Sequence, residues 1–154
     1  MAKLGNLKMI DPRKAGKASD ALGQRIAVAA FDVHRAVGPG FAATVYKQCL
    51  VAELRAGGMD VETDVMFPLT YKTITIENAF TADIVVNGTA LIVVRAEPRS
   101  DDQKDQLASF LKASGKTEAY LMNFGLKDMR QGIARASVRP AQISFGAPDK
   151  DKVN

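Results

Sequence analysis

Two charged residues interrupt strongly apolar segments in the middle of the chain. Asp83 lies in the run Ala82-Asp-Ile-Val-Val, and Arg95 ends the run Leu91-Ile-Val-Val-Arg. A carboxylate among β-branched side chains costs free energy unless a donor or an opposite charge pairs with it. The sequence therefore predicts that Asp83 pairs with Arg95. The alternative role for Asp83 is residual binding of a metal ion or another ligand.

Four further residues bear on this chemistry. Glu97 follows Arg95 by two residues, so strand alternation puts both side chains on one face. Glu97 is then either a carboxylate that acts with Asp101 or Asp102 in such a site, or a solvated residue at a strand end. Gln106 either orients a phosphate or base of a nucleic acid or is an exposed helix residue, and the sequence leaves both readings open.

Other reactive residue types are sparse. His34 is the only histidine, and one imidazole makes no metal site, so we expect a packing or hydrogen-bonding role near a helix end. Cys49 is the only cysteine, which excludes an internal disulfide and favours a core position. A phosphate-binding glycine loop is absent, and 6% aromatic residues without tryptophan give no stacking platform for single strands.

The elements that carry these residues follow from hydrophobic periodicity and turn residues. The first helix is capped by Ser19 or Asp20 and ended by Gly38-Pro39-Gly40, and a second helix spans 43–56. Three strands follow, over 61–71, 74–86 and 90–97. A third helix over 100–114 begins with a capping box of Ser100 and Gln103, and it is followed by a strand over 118–124 and a helical turn within 128–136. On the second helix, the pattern predicts a buried side of Val45, Cys49 and Ala52, with Tyr46 and Leu50 beside them. Pro68 indicates an edge strand or a bulge.

The predicted order is helix, helix, three-strand meander, helix, strand, which indicates a single α/β domain with a mixed sheet flanked by helices. At 154 residues one core is expected, over 19–146, with a tail over 147–154. No apolar run is long enough to cross a bilayer, and no secretory signal is recognisable, so a cytoplasmic protein without membrane contact is expected.

The net charge of +4 is concentrated at the N-terminus. Residues 1–18 hold five basic side chains against Asp11, and the rest of the chain sums to zero. The basic residues are Lys3, Lys8, Arg13, Lys14 and Lys17. This segment is predicted to be a flexible arm, which is either a solvated tail or a salt-sensitive contact to nucleic-acid phosphates.

Several stretches together resemble the GxxExxY family of the PD-(D/E)XK nuclease superfamily, from about Ile26 to Gly125. The most specific is Phe31-Asp-Val-His-Arg-Ala-Val-Gly-Pro-Gly-Phe. Tyr46, the run that contains Asp83 and the word Asn123-Phe-Gly also fit. The resemblance implies a nuclease-like fold and metal-dependent cleavage of phosphodiesters, in which Mg²⁺ is held by carboxylates and activates water.

Aligned with that pattern, the chain keeps one of three metal carboxylates, Asp83. The glutamate of the helix word falls on Ala43, and the Glu-x-Lys word of the next strand falls on Val93-Val94-Arg95. The later Gln-x-x-x-Tyr word keeps Gln106 but has Phe110 in place of tyrosine. Methyl groups cannot bind Mg²⁺, and the permanent charge of Arg95 disfavours a second cation beside it.

The turn Asn87-Gly88 offers a test of this alignment. A two-residue turn sets Asp83 opposite Ile92, whereas a three-residue turn, Asn87 to Thr89, sets it opposite Val93 and on the same face. The resemblance requires the second register.

These observations predict a nuclease-like domain that no longer cuts and acts as a binding or regulatory module. A protein partner or a second copy is favoured over nucleic acid, because the body of the chain is neutral. No cofactor is expected. The alternative is an active Mg²⁺-dependent nuclease that uses Asp83 with Glu97 and Asp101 or Asp102.

Overall fold

The computed structural model describes residues 8–9, 21–97 and 102–138, with side chains described for 21–97 and 105–138. The helices are α1 (Ala21–Val37), α2 (Ala43–Ala56) and α3 (Asp102–Ser114), and a 3-10 turn spans Met129–Gln131. The strands are β1 (Lys8–Met9), β2 (Val61–Tyr71), β3 (Ile74–Val86), β4 (Ala90–Arg95), β5 (Glu118–Asn123) and β6 (Ile133–Ser137).

All six strands form one mixed sheet in the order β1-β6-β5-β4-β3-β2. Strands β4 and β5 run parallel and the other neighbours run antiparallel. Residues of α1 and α2 pack on one face in the first core cluster, and residues of α3 pack on the other in the second core cluster. The predicted fold, a mixed sheet flanked by helices in one domain, is therefore confirmed.

Helix α1 ends where the sequence predicts. Gly38 adopts a φ of 79°, and its N–H donates to the carbonyl of His34 at 2.8 Å. This left-handed residue stops the helix at low steric cost because glycine has no Cβ. Gly40 also has a positive φ, of 117°, and the chain then turns into α2.

The buried side predicted for α2 is confirmed for Tyr46 and Leu50 and wrong for Val45 and Ala52. The buried residues are Tyr46, Leu50, Val51 and Leu54, while Val45 is 37% exposed and Ala52 is exposed. Cys49 is half-buried at the margin of the first core cluster. The largest side chains, spaced four residues apart, decide the orientation because they remove the most apolar surface from water.

Strand β2 has both features that Pro68 indicates. It forms the outer edge of the sheet, and its register against β3 shifts between Phe67 and Leu69. Proline cannot donate to a ladder hydrogen bond, so an edge strand with an irregular register accommodates it.

The C-terminal part differs from the prediction. The helical turn predicted within 128–136 is short, and its second half is strand β6, paired with β5 and with β1. Strand β4 ends at Arg95 rather than Glu97, and β5 ends at Asn123.

Several predictions fall on residues outside the described ranges. These are the helix caps at Ser19, Asp20 and Ser100, the role of Asp101, the tail over 147–154 and the arm apart from the strand residues Lys8 and Met9. Within the described residues, no helix combines the length and the apolar character of a bilayer span.

Candidate functional site

The turn between β3 and β4 has three residues. Val86 pairs with Ala90, and Asn87 and Gly88 adopt φ values of 51° and 69°. Val85 then pairs with Leu91 and Ile84 with Ile92. Extending this register by one residue sets Asp83 opposite Val93, so the register that the resemblance requires is confirmed.

Where the backbone pairing of β3 with β4 ends, a side chain accepts the next hydrogen bond from β4. The described pairing stops at Ile84 and Ile92, and the Asp83 Oδ2 atom then accepts a hydrogen bond from the Val94 N–H at 2.7 Å. An unpaired backbone donor in this half-buried position would cost free energy. Asp83 therefore has a structural role at the point where the two strands separate.

What we call the Arg95 cluster comprises Asp83, Arg95, Glu97 and Gln106. Arg95 lies beside the carboxylate of Asp83 and contacts the other three side chains. Its Nη1 atom is 3.7 Å from Asp83 Oδ2 and donates to the Val94 carbonyl at 3.0 Å. Its Nη2 atom donates to Gln106 Oε1 at 2.7 Å, and its Nε atom is 3.9 Å from Glu97 Oε1. The predicted ion pair of Asp83 with Arg95 is present.

The guanidinium of Arg95 is thus held between two carboxylates and one amide. The side chains of Asp83 and Arg95 are 26% and 28% exposed, so the pair is partly shielded from water, whereas Glu97 is 56% exposed. Gln106 of α3 is half-buried, and its side-chain carbonyl oxygen accepts from Arg95.

The other aligned positions are apolar and packed. Val93 is 2% exposed in the second core cluster, while Ala43, the first residue of α2, is half-buried against the first core cluster. The structure therefore places these two positions in different clusters. Neither side chain carries an atom that could bind a cation.

Phe110, at the position where the resemblance expects tyrosine, belongs to an aromatic stack. Its ring lies 4.1 Å from that of Phe80, centroid to centroid, and Phe80 lies 5.2 Å from Phe67. The stack joins α3 to the β2–β3 hairpin. A phenolic hydroxyl is not needed for this packing.

An ion pair that the sequence did not predict links α2 to the sheet near Asp83. Lys47 Nζ contacts Asp64 Oδ1, and Asp64 lies between the pairs Thr63–Ile84 and Val65–Ala82, at the level of Asp83. Lys47 is one helical turn beyond Ala43, so both residues lie on the same face of α2. That face is directed at the part of the sheet that holds Asp64 and Asp83.

The other motifs on which the resemblance rests lie together around Tyr46. We call these residues the Tyr46 cluster: His34, Gly38, Phe41, Tyr46 and Phe124. The Tyr46 hydroxyl donates to the Gly38 carbonyl at 2.5 Å and accepts from the Phe41 N–H at 3.1 Å. Its ring is fully buried and stacks on Phe124 at 4.8 Å. These contacts fix the loop between α1 and α2.

His34 has the structural role predicted for it. Its Nε2 atom donates to the Leu126 carbonyl at 2.7 Å, and its ring lies 6.4 Å from that of Phe124. The hydrogen bond ties the end of α1 to the loop after β5.

Asn123 is a residue whose role sequence reasoning missed. It is 2% exposed, its Nδ2 donates to the Glu97 carbonyl at 2.7 Å, and its Oδ1 accepts from the N–H groups of Glu97 and Gly125 at 3.2 and 3.0 Å. The Phe124 N–H donates to the Arg95 carbonyl at 2.8 Å. The word Asn-Phe-Gly thus positions the segment that carries Arg95 and Glu97.

The described residues do not fit a magnesium ion. Mg²⁺ requires hard oxygen ligands in a tight octahedron. Across 21–97 and 105–138, no group of three His, Cys, Asp or Glu side chains could hold a metal. One oxygen of Asp83 already accepts a backbone hydrogen bond and faces a guanidinium, so the site offers too few donors and an adverse charge.

Fold and motif positions together define a nuclease-like α/β domain. The profile of the PD-(D/E)XK nuclease superfamily matches residues 20–136, and the chain belongs to this superfamily. Neither a curated protein nor a solved structure matches the chain.

Proposed function

We propose that this chain is a PD-(D/E)XK domain without nuclease activity that serves as a binding or regulatory module. The observation that carries the proposal is the guanidinium of Arg95, which lies 3.7 Å from Asp83 where the resemblance requires a lysine and a metal ion. Its partners on three sides hold it in this position.

Charge explains why this arrangement opposes metal-dependent cleavage. A guanidinium stays protonated at every relevant pH, so Arg95 cannot serve as a base. It also neutralises the carboxylate that would otherwise attract a divalent ion, and two like charges a few ångströms apart repel in a partly buried site. Ala43 and Val93 supply no oxygen to compensate.

A protein partner is favoured over nucleic acid by the distribution of charge. Outside residues 1–18 the formal charges sum to zero, whereas a surface that binds a duplex carries an excess of Lys and Arg. The arm residues Lys3, Lys8, Arg13, Lys14 and Lys17 remain the candidates for contact with phosphates.

The second candidate function is Mg²⁺-dependent cleavage with a rearranged set of carboxylates. The observation in its favour is Glu97, whose Oε1 atom is 3.9 Å from Arg95 Nε, so that two carboxylates flank one guanidinium. Loss of the Arg95 contacts would leave Asp83 and Glu97 as a pair of acids near the end of β4. Asp101 or Asp102 would have to complete the set.

A cleavage assay on single- and double-stranded DNA and RNA, with Mg²⁺ or Mn²⁺, separates the two functions. We expect the wild type to show no cleavage above a metal-free control. The triple variant Ala43→Glu, Val93→Glu, Arg95→Lys is the matched test for a degenerate site, and cleavage that it gains and loses again on Asp83→Ala would support the proposal. Wild-type cleavage that requires Asp83 and Glu97 would refute it.

A further inference from the structure

The outer half of the β2–β3 hairpin presents an apolar surface to solvent. Leu69, Tyr71, Ile74 and Ile76 are 43%, 60%, 55% and 46% exposed. Together they expose on the order of 400 Å² of side-chain surface, a size typical of patches with a binding role. We call these four residues the hairpin patch.

Strand pairing puts all four side chains on one face. Leu69 pairs with Ile76 and Tyr71 pairs with Ile74, and directly opposed residues point to the same side. The pair between them, Thr70 and Thr75, points to the other side, where the two hydroxyls lie 3.3 Å apart. The tip of the hairpin is therefore amphipathic, with an apolar face and a threonine face.

The hairpin patch extends beyond the rest of the sheet. Strand β4 pairs with β3 over Ile84–Val86 alone among the described residues, so β2 is the sole described strand partner of β3 at Ile74–Ile76. A two-stranded hairpin is marginal in water without a third strand or a packed surface. The tip thus gains stability from whatever covers its apolar face.

Two of the described chain ends lie away from the hairpin patch. Strand β1 is at the opposite edge of the sheet from β2. The described chain ends after β6 at Val138, whose N–H donates to the Thr117 carbonyl. The Thr117 N–H donates in turn to the Thr89 carbonyl, in the turn that follows β3, so this end of the chain lies at the opposite end of β3 from Ile74. Over 13 residues of β3 that separation is about 40 Å.

We propose that a second copy of this chain covers the hairpin patch, giving a two-fold symmetric dimer. An isologous interface needs a surface that complements itself, which an uncharged apolar face does. Between residues 65 and 82 the charged residues are Lys72 and Glu77, of opposite sign, so the hairpin tip carries no net charge that would repel its twin. Acidic partners such as nucleic acid gain nothing from such a surface.

Area sets the strength of the association. Two patches would bury about 800 Å² of apolar side-chain surface together with a polar rim, which is at the low end for specific interfaces. We therefore expect a reversible dimer with a dissociation constant on the order of micromolar to tens of micromolar. The hairpin patch is separate from the Arg95 cluster, so the dimer does not depend on whether the chain cuts nucleic acid.

Sedimentation equilibrium of the full chain over about 5 to 500 μM tests the proposal. We expect the mass to rise with concentration from the 16.5 kDa of one chain towards twice that value. Ile76→Glu, and separately Leu69→Lys, should weaken association about tenfold or more, because each buries a charge at the contact. Thr75→Glu is the matched control on the opposite face and should change association by less than about twofold.

Three results would overturn the dimer. One is a wild type that stays monomeric throughout the range. Another is an association that Ile76→Glu and Leu69→Lys leave unchanged while circular dichroism shows both variants folded. The third is a monomeric wild type in which deletion of residues 139–154 speeds hydrogen exchange of the amides over 69–76. That result would show that residues 139–154 of the same chain cover the hairpin patch.

Discussion

The Tyr46 cluster and the Arg95 cluster both contain residues on which the resemblance to the GxxExxY family rests. They differ in how closely they follow the motifs of that family. Around Tyr46 the motif residues are intact and interlock: the hydroxyl holds the loop from Gly38 to Phe41, and the ring stacks on Phe124. Around Arg95, under the proposed alignment, Val93 and Arg95 stand where the pattern has a metal-binding glutamate and a lysine. Contacts that define the fold and groups that perform chemistry are thus separable within one chain.

Asp83 has two roles under the proposed alignment. It is the one metal carboxylate of the pattern that remains, and it is also the residue whose side chain satisfies the Val94 N–H at the strand separation. A residue with a second, structural contact is harder to replace than one without.

The largest effect is expected at the Tyr46 cluster. Tyr46→Ala should lower the free energy of unfolding by about 3–5 kcal/mol, because it removes a fully buried ring and leaves a cavity beside Phe124. Tyr46→Phe keeps the ring and loses the two hydroxyl contacts, so we expect a loss of about 1–2 kcal/mol. Equilibrium urea denaturation measures both. A loss below about 1 kcal/mol for Tyr46→Ala would contradict the assigned role.

An intermediate effect is expected at Asp83. Asp83→Ala should cost about 1–3 kcal/mol of unfolding free energy, because it leaves the Val94 N–H without its acceptor and Arg95 without one counter-charge. Asp83→Asn keeps an acceptor oxygen for the same N–H and should recover part of that loss. The same urea titrations provide the comparison. If Asp83→Ala were as stable as the wild type, retention of Asp83 would have to be explained by ligand binding instead.

The smallest effect is expected at Glu97. Its carboxylate is 3.9 Å from the Arg95 Nε atom and more than half exposed, so solvent screens the pair. Glu97→Gln should change the unfolding free energy by less than about 0.5 kcal/mol, and the change should vanish in 1 M salt. Thermal unfolding at low and high ionic strength checks this. A loss comparable to that of Asp83→Ala would show that the Arg95 cluster acts as one unit.

Much of the fold was predictable because local residue chemistry and tertiary structure agree. Gly38-Pro39-Gly40 ends α1, and Asn87-Gly88 forms the turn that sets the register of Asp83. Strand β6 was missed because Ile133-Ala-Arg-Ala-Ser has small side chains and little periodicity, so its pairing with β5 decides its conformation.

The ion pair of Asp83 with Arg95 was predictable, but the other contacts of the Arg95 cluster were not. The pairing of Asp83 with Arg95 follows from the cost of isolated charges in apolar strands. The bonds from Asp83 to the Val94 N–H and from Arg95 to Gln106 depend on where the strands separate and how α3 docks, which no local pattern encodes. The prediction for α2 was wrong at Val45 and Ala52 for a similar reason, since apolar residues surround that helix and the stack of Tyr46 on Phe124 sets its orientation.

The hydrogen bond from the Val94 N–H to Asp83 has a consequence for judging which related sequences are still able to cut. An aspartate that completes a strand junction contributes to folding whether or not the domain cleaves, so its presence alone is a poor diagnostic of activity. Under the proposed alignment, the positions of Val93 and Arg95 are those of the acid and the lysine in a working site. Their identity, acid and lysine or aliphatic and arginine, is the more informative marker for sorting working nucleases from inert paralogues.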